Sequence, residues 1–370
     1  MKAVILVGGE GTRLRPLTCN TPKAMLPLAN RPFLEHVFDY LKHYGIWEVV
    51  LSMGYKPDAI EKHFGDGSDF GINLTYVVED KPLGTAGGVK NVEQHIDGTC
   101  LVFNGDILTD LDLSAIIDFH RQNKGKVSIA LIPVEDPTAY GLVETDANQR
   151  VTAFIEKPTP DRVTTNLINA GTYVMEPDVL DLVPPDTYYM FERGVFPELL
   201  ARGEPVFGYP YNSYWMDIGT PAKYLAAHHD LLTGRLERDL PGSLLREDVW
   251  IGERCEIPLT ARLSGPVVLG DRVRIEGGAT IVGPTVIADD CHIGSGAFVE
   301  GSVIWAGTII GPQANVRHSL VGRGCSVAGG AWLTGGAVVA DGAAIGPGNR
   351  LDRGVRIWPG KTIEENTITF

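Results

Sequence analysis

The chain has 370 residues, 44% hydrophobic and 21% charged, which describes a globular sequence too long for one ordinary core, so two domains are expected. A net charge of −14 excludes nucleic acid as a general partner, since gripping a phosphate backbone needs a cationic face, but a few local cations still suffice for a nucleoside triphosphate. Five scattered cysteines without CxxC spacing, no apolar run of membrane-spanning length and too short an apolar start for a signal peptide predict reduced thiols, a cytoplasmic location and no membrane partner.

The first predicted element is a buried strand over 3–7, all apolar. It breaks into Gly8-Gly9-Glu10-Gly11, where backbone N–H groups can approach a ligand closely. Thr12, Arg13, Arg15 and Lys23 follow, with Pro16 and Pro22 stiffening the segment. A strand, a glycine loop and spaced cations suit a polyphosphate, although the glycines alone also suit an ordinary turn. A helix over 32–44 carries Phe33, Leu34, Val37, Phe38 and Leu41 on one face, then come a strand over 48–52, a helix over 58–64 and a strand over 74–78. This alternation predicts an α/β domain with a largely parallel sheet, whose ligands sit beyond the carboxyl ends of the strands.

The strand over 74–78 delivers Glu79 to a turn containing Gly84. An ionised carboxylate only accepts hydrogen bonds, so Glu79 suits the adjacent N1–H and N2–H donors of guanine; an ordinary solvated loop acid fits the same position. The strand over 101–103 runs into Asn104-Gly105-Asp106, where the acid can ligate a cation or cap the next helix. Trp215-Met216-Asp217-Ile218-Gly219 places a second acid between apolar residues and a turn. Two carboxylates plus phosphate oxygens and waters complete a normal Mg²⁺ octahedron. Between them lie a strand over 126–133, the segment around Tyr140-Gly141, an alternating strand over 151–157 ending in Glu156-Lys157-Pro158, and Asn169-Ala170-Gly171. Glu156 and Lys157 can serve one ligand if the strand stops there; an exposed ion pair is the simpler alternative.

After Leu240 the composition changes. An aliphatic residue recurs at every sixth position from Ile251 to Val299, slips by one to Ile304, Ile310 and Val316, and slips again to Val321, continuing to Ile363. That is a hexapeptide repeat, which predicts a parallel β-helix whose stacked coils share one aliphatic interior. The expected domains are therefore 1–240 and 241–370.

The run from Gly8 to Thr18, with Pro22-Lys23 and Leu26-Pro27, resembles the signature of the sugar-1-phosphate nucleotidyltransferases, or nucleotide-sugar pyrophosphorylases, and most of all the mannose-1-phosphate guanylyltransferases. The resemblance implies a Rossmann-like α/β nucleotidyltransferase domain, a mostly parallel mixed sheet, followed by a left-handed β-helix. It implies nucleotide contacts at Leu6, Gly8, Gly9, Gly11, Thr12, Arg13, Glu79, Gly84 and Gly105, with Gly84 packing under the base. Residues 79–87 are similar to the base-reading segment of guanylyl members, so GTP is the favoured triphosphate. It implies sugar 1-phosphate contacts at Tyr140, Gly141, Glu156, Lys157 and Asn169, Mg²⁺ on Asp106 and Asp217, and phosphate neutralisation by Arg13, Lys23 and Lys157. Mannose 1-phosphate is the expected acceptor; thymidylyl, uridylyl or adenylyl transfer to glucose 1-phosphate, and a silent regulatory subunit binding nucleotide-sugar, are the alternatives. The β-helix is expected to serve homo-oligomer assembly or regulation. His292 and His318, the histidines of that half, would matter only if it were also an acyltransferase.

Overall fold

The structure is a computed structural model and describes residues 1–369. The chain folds as two compact units, each discontinuous in sequence: Met1–Glu10 with Val37–Asp217, and Gly11–His36 with the chain from Ile218 onward.

In the first unit the apolar start of the chain forms β1 (Lys2–Val7). Parallel neighbours β2 (Glu48–Met53), β3 (Asn73–Val78) and β4 (Cys100–Asn104) extend the sheet, since helices return the chain between them. Those helices are α1 (Phe33–His43), α2 (Pro57–Phe64) and α3 (Gly84–Asn91). A short strand β5 (Ile107–Thr109) leaves the sheet, α4 (Leu113–Asn123) follows, and the chain re-enters through β6 (Val127–Pro133), β7 (Gly141–Thr145), β8 (Val151–Glu156), β9 (Leu167–Met175) and β10 (Val206–Pro210), with α5 (Phe196–Ala201) between the last two in sequence. The main path runs β8-β7-β9-β4-β1-β2-β3, with β6 joining β9 to β10. β9 is antiparallel to β4, β6 and β7, so the sheet is mixed, and Cys100, Val102, Tyr173 and Met175 bury its centre. The last strand of the unit is β11 (Trp215–Asp217), which pairs with β5 alone.

The second unit is a parallel β-helix with α6 (Pro221–Leu232) and residues 11–36. Among the described residues its three sheets hold eight, six and six strands. The periodic aliphatics form its interior: Leu269, Ile275, Ile281, Ile287, Ile293, Val299, Ile304 and Ile310 each expose 3% or less, and Ile251, Ile257 and Leu263 pack against them. Leu269 pairs with Ile287, eighteen residues on, but Ile287 pairs with Ile304, seventeen on, which is the first slip in the repeat. Both slips fall at one corner, at Gly301 and His318, and there His229 of α6 bonds the carbonyl of Gly301 through Nε2 at 3.0 Å.

The three sheets differ on their outer faces. The first, which includes Val267–Leu269 and Thr285–Ile287, also buries its outward residues Val268, Val286, Val303, Leu320 and Val338. A strand apolar on both faces is covered on both faces. Tyr224 of α6, whose hydroxyl donates to the carbonyl of Pro27, meets Trp305 edge-on at 6.4 Å, and Asn30 Nδ2 donates to the carbonyl of Ile287 at 3.2 Å. The outward residues of the other sheets include Arg274 and His292, and Asn315 and Arg350. His292 Nε2 is bonded to Glu276 Oε1 at 2.8 Å. All five cysteines are free thiols, and burial pushes Cys100 and Cys291 up to about 12.

Candidate active site

Asp106 and Asp217 lie far apart in sequence and meet through the β5–β11 ribbon. In its antiparallel register Asp217 stands opposite Ile107, the residue after Asp106, so the main chains of the two acids meet at one end of the ribbon. Asp217 is 8% exposed. The Gly105 N–H donates to the carbonyl of Leu6 at 2.9 Å, and a Cβ there would stand 2.6 Å from that oxygen and from Val7 Cγ1. Only glycine allows this approach, and it holds Asp106 beside the carboxyl end of β1. The capping role open to Asp106 belongs instead to Asp112, whose Oδ1 accepts from the Ala115 N–H at 3.0 Å at the start of α4.

No group of three or more His, Cys, Asp or Glu residues suited to a metal occurs among the described residues. The Asp106–Asp217 pair supplies hard oxygen donors and leaves most of a coordination shell open. That fits a divalent cation shared with phosphate oxygens and waters.

Glu79 is no solvated loop acid. Ser52 Oγ donates to its Oε1 at 3.0 Å and the Leu83 N–H to its Oε2 at 3.1 Å. A Cβ on Gly88 would stand 2.7 Å from Oε1, and one on Gly8 3.6 Å from Oε2. The carboxylate is therefore fixed between the glycine loop and α3. Partial burial raises its pKa above the ordinary carboxylate value, opposed by the Leu83 and Ser52 bonds. Each oxygen keeps acceptor capacity beyond these bonds. Leu6 reaches the same place: a Cβ on Gly88 would lie 3.1 Å from Leu6 Cδ2. Gly84, at φ 75°, has a packing reason of its own, because a Cβ would lie 2.6 Å from the carbonyl of Tyr189. Around Gly9 a Cβ would meet nothing within 4 Å among the described residues.

β8 ends at Glu156, and Lys157 turns away at φ 49°. The Lys157 N–H donates to the carbonyl of Tyr140 at 3.0 Å, and a Cβ on Gly141 would stand 3.1 Å from Glu156 Oε2. Tyr140, Gly141, Glu156 and Lys157 thus form one cluster. Asn169 shapes a bulge in β9: its Nδ2 donates to the Tyr173 hydroxyl at 2.8 Å and its Oδ1 accepts from the Gly171 N–H at 2.9 Å. A Cβ on Gly171 would lie 2.7 Å from Asn104 Nδ2, which ties the bulge to the residue two before Asp106.

Four residues here escape sequence reasoning. Trp215 donates from Nε1 to the carbonyl of Ala170 at 2.9 Å and meets the Tyr140 ring edge-on at 5.5 Å, joining the Tyr140 cluster to Asp217. Buried Tyr173 is held protonated by burial and by the nearby charges of Glu192, Glu156 and Asp106. Glu192 accepts from Thr85 Oγ1 at 2.9 Å, and burial raises its pKa. Asn104 holds a buried Oδ1. Trp215 lay inside a motif already noted; Glu192 had no periodic or motif signal.

Gly11, Thr12, Arg13 and Lys23 belong to the second unit. Gly11, at φ 61°, opens a run of short 3₁₀ turns at Thr12–Leu14, Leu17–Cys19 and Lys23–Met25. Its carbonyl accepts from the Leu14 N–H at 2.9 Å and from Thr18 Oγ1 at 2.8 Å. A Cβ on Gly11 would lie 3.0 Å from Thr18 Cγ2 and 3.3 Å from Lys23 Cβ, so the loop winds around Thr18. Leu14 and Leu17 anchor it, leaving Thr12 and Arg13 exposed.

An α/β sheet with paired aspartates at one end and a fixed carboxylate beside a glycine loop defines an enzyme that handles phosphates. Residues 2–234 match the family described as Nucleotidyl transferase, and residues 242–351 match the EIF2B subunit epsilon LbH domain, a left-handed β-helix. The chain belongs to the nucleotidyl transferase family. It is 44% identical to the mannose-1-phosphate guanylyltransferase of Mycobacterium tuberculosis over 72% of this chain and 79% of that one. It is 34% identical to the UTP–glucose-1-phosphate uridylyltransferase of Synechocystis over 68% and 69% of the two chains. The crystal structure of HddC from Yersinia pseudotuberculosis complexed with GMP-PN aligns at a TM-score of 0.54 and 30% identity, covering 61% of this chain and 97% of that one. The family acts on a nucleoside triphosphate and a sugar 1-phosphate, and its members generally use a divalent metal. No helix among the described residues is long and apolar enough to cross a membrane.

Proposed function

We propose that the enzyme joins GTP and mannose 1-phosphate into GDP-mannose and pyrophosphate, in the cytoplasm, with a catalytic domain of 1–240 and a β-helix of 241–370 that assembles a homo-oligomer. The observation that carries this reading is the register of the β5–β11 ribbon, which makes Asp106 and Asp217 neighbours beside the end of β1.

The sugar phosphate oxygen attacks the α-phosphorus in line with the departing pyrophosphate. No protein nucleophile is needed, so the chain contributes placement and charge. Asp106 and Asp217 would hold Mg²⁺, which when bound neutralises and orients the reacting phosphates. Arg13 neutralises the leaving pyrophosphate, Lys23 the α-phosphate, and Lys157 the incoming phosphate. Glu79, already oriented by Ser52 and Leu83, accepts from guanine N1–H and N2–H. Glu156 accepts from sugar hydroxyls, with Tyr140, Gly141 and Asn169 shaping that side. The 44% identity to a guanylyltransferase and the guanine nucleotide named with HddC support the base assignment.

The deciding experiment is a screen of GTP, UTP, dTTP and ATP against mannose 1-phosphate and glucose 1-phosphate, reading pyrophosphate release. The expected result is highest kcat/KM with GTP and mannose 1-phosphate. Preference for UTP or dTTP with glucose 1-phosphate removes the base and sugar assignment. No turnover with any pair leaves a nucleotide-sugar-binding subunit.

A further inference from the structure

We propose that the late coils of the β-helix hold the cation-bearing loop in its working conformation, with Arg356 as the positioning residue for Arg13. Arg356 is the outward residue of the strand Arg356–Ile357, in the sheet whose outward positions include the buried Val268, Val286, Val303, Leu320 and Val338. It breaks that apolar row with a guanidinium. Its Nη1 donates to the carbonyl of Arg15 at 2.7 Å and makes a longer bond to the carbonyl of Arg13 at 3.4 Å.

A second arginine works alongside it. Arg323 Nη1 donates to Thr21 Oγ1 at 2.9 Å, and its guanidinium lies over the Trp305 ring at 5.1 Å from the centroid. Stacking fixes the plane of that guanidinium and thus the direction of its donors. With Asn30 bonded to the carbonyl of Ile287, three coils grip one segment at 13–15, 21 and 30. The Arg356 bonds go to main chain, so they fix where the Arg13 backbone stands rather than occupying its side chain.

The inward aliphatics already stabilise the β-helix, so an exposed arginine aimed at two carbonyls of a short-turn loop adds little to that core. It does restrict a loop whose first half is a run of three-residue 3₁₀ turns. A cation that neutralises developing charge acts only if it is already in place. The functional role given to Arg13 rests on the nucleotidyl-transfer reading above; the clamp itself does not.

Two measurements on the full chain separate these. Hydrogen exchange of the nucleotide-free protein reads the clamp, and steady-state kinetics with varied GTP read its consequence. Arg356→Ala is expected to speed amide exchange across 12–19, leave β-helix protection and the melting temperature unchanged, and lower kcat/KM for GTP about tenfold, the cost of a lost charged hydrogen bond. Arg356→Lys, which keeps the charge and most of the reach, should recover part of both effects. Arg274→Ala, an outward arginine of another sheet paired with Glu256 at 3.6 Å, should change neither. Unchanged exchange in Arg356→Ala, or a rise spread over all coils, or an equal effect of Arg274→Ala, overturns the proposal. Faster local exchange in Arg356→Ala, alongside a wild type that transfers no nucleotide, keeps the clamp and overturns the assigned reaction instead.

Discussion

Ile293 of the β-helix lies between Ile275 and Ile310 on neighbouring coils, in a row where each residue repeats the one beside it. Asp106 of the α/β unit has no such row: its place depends on Gly105 against Leu6 and on one short partner strand. The first kind of position is fixed by redundancy, and its energy is a sum over similar neighbours. The second is fixed once, by contacts that tolerate no added atom. A stability defect is therefore the expected outcome of change in the β-helix, and a defect in turnover with little loss of stability the expected outcome at the aspartates.

The sharpest test of that contrast is Asp106→Asn and Asp217→Asn. Each is expected to lower kcat about 10³-fold or more, on the scale of losing one major electrostatic contact in a phosphoryl-transfer site, with the melting temperature close to wild type. Near-normal rates in both would remove the metal assignment. The converse change is Ile293→Ala, expected to cost about 2–5 kcal/mol of stability in denaturant melts while kcat at moderate temperature holds.

An acid-sensitive point sits in α6. His228 is fully buried, its Nδ1 3.0 Å from the carbonyl of Tyr224, and burial lowers its pKa to about 4. Unfolded histidine titrates near 6.5. Between these values the unfolded chain binds the proton and the folded one does not, so the contribution is fully present above pH ~6.5 and is lost as pH falls toward 4, by about 3 kcal/mol in all. Urea midpoints at pH 7 and pH 5 should show the slope, and His228→Gln should flatten it.

The smallest expected effect separates the two jobs of Glu79. Glu79→Gln can keep the bonds to Ser52 and Leu83 but loses an acceptor for guanine, so the GTP-to-UTP preference should fall about ten- to a hundredfold without loss of stability. An unchanged preference would leave Glu79 as a structural acid at the start of α3.

The β-helix was legible because period six is written into the chain residue by residue, down to the slips before Ile304 and Val321. Which of its sheets is covered went unread, although pairs such as Val338-Val339 against Arg274-Ile275 differ in being apolar on both faces or on one. The parallel half of the α/β sheet followed from alternating strands and helices. Its antiparallel half did not: β9 is an almost continuous apolar run bent by a bulge at Asn169, and nothing local says which strands it will join. The aspartates were joined only through the family resemblance, since pairing β5 with β11 is a long-range choice that no local pattern dictates. Glu192 and Tyr173 became visible only when folding buried them beside other acids.

Stacked coils rise by about 4.8 Å each, and repeat folds commonly gain or lose whole coils without disturbing the rest. Here Ile287, Arg323 and Arg356 touch three fixed points of one short segment. Duplicating a single coil between Ile287 and Arg356 would carry the arginine a full step past its carbonyls while leaving every inward aliphatic stacked as before. The tally of turns over that stretch is thus frozen.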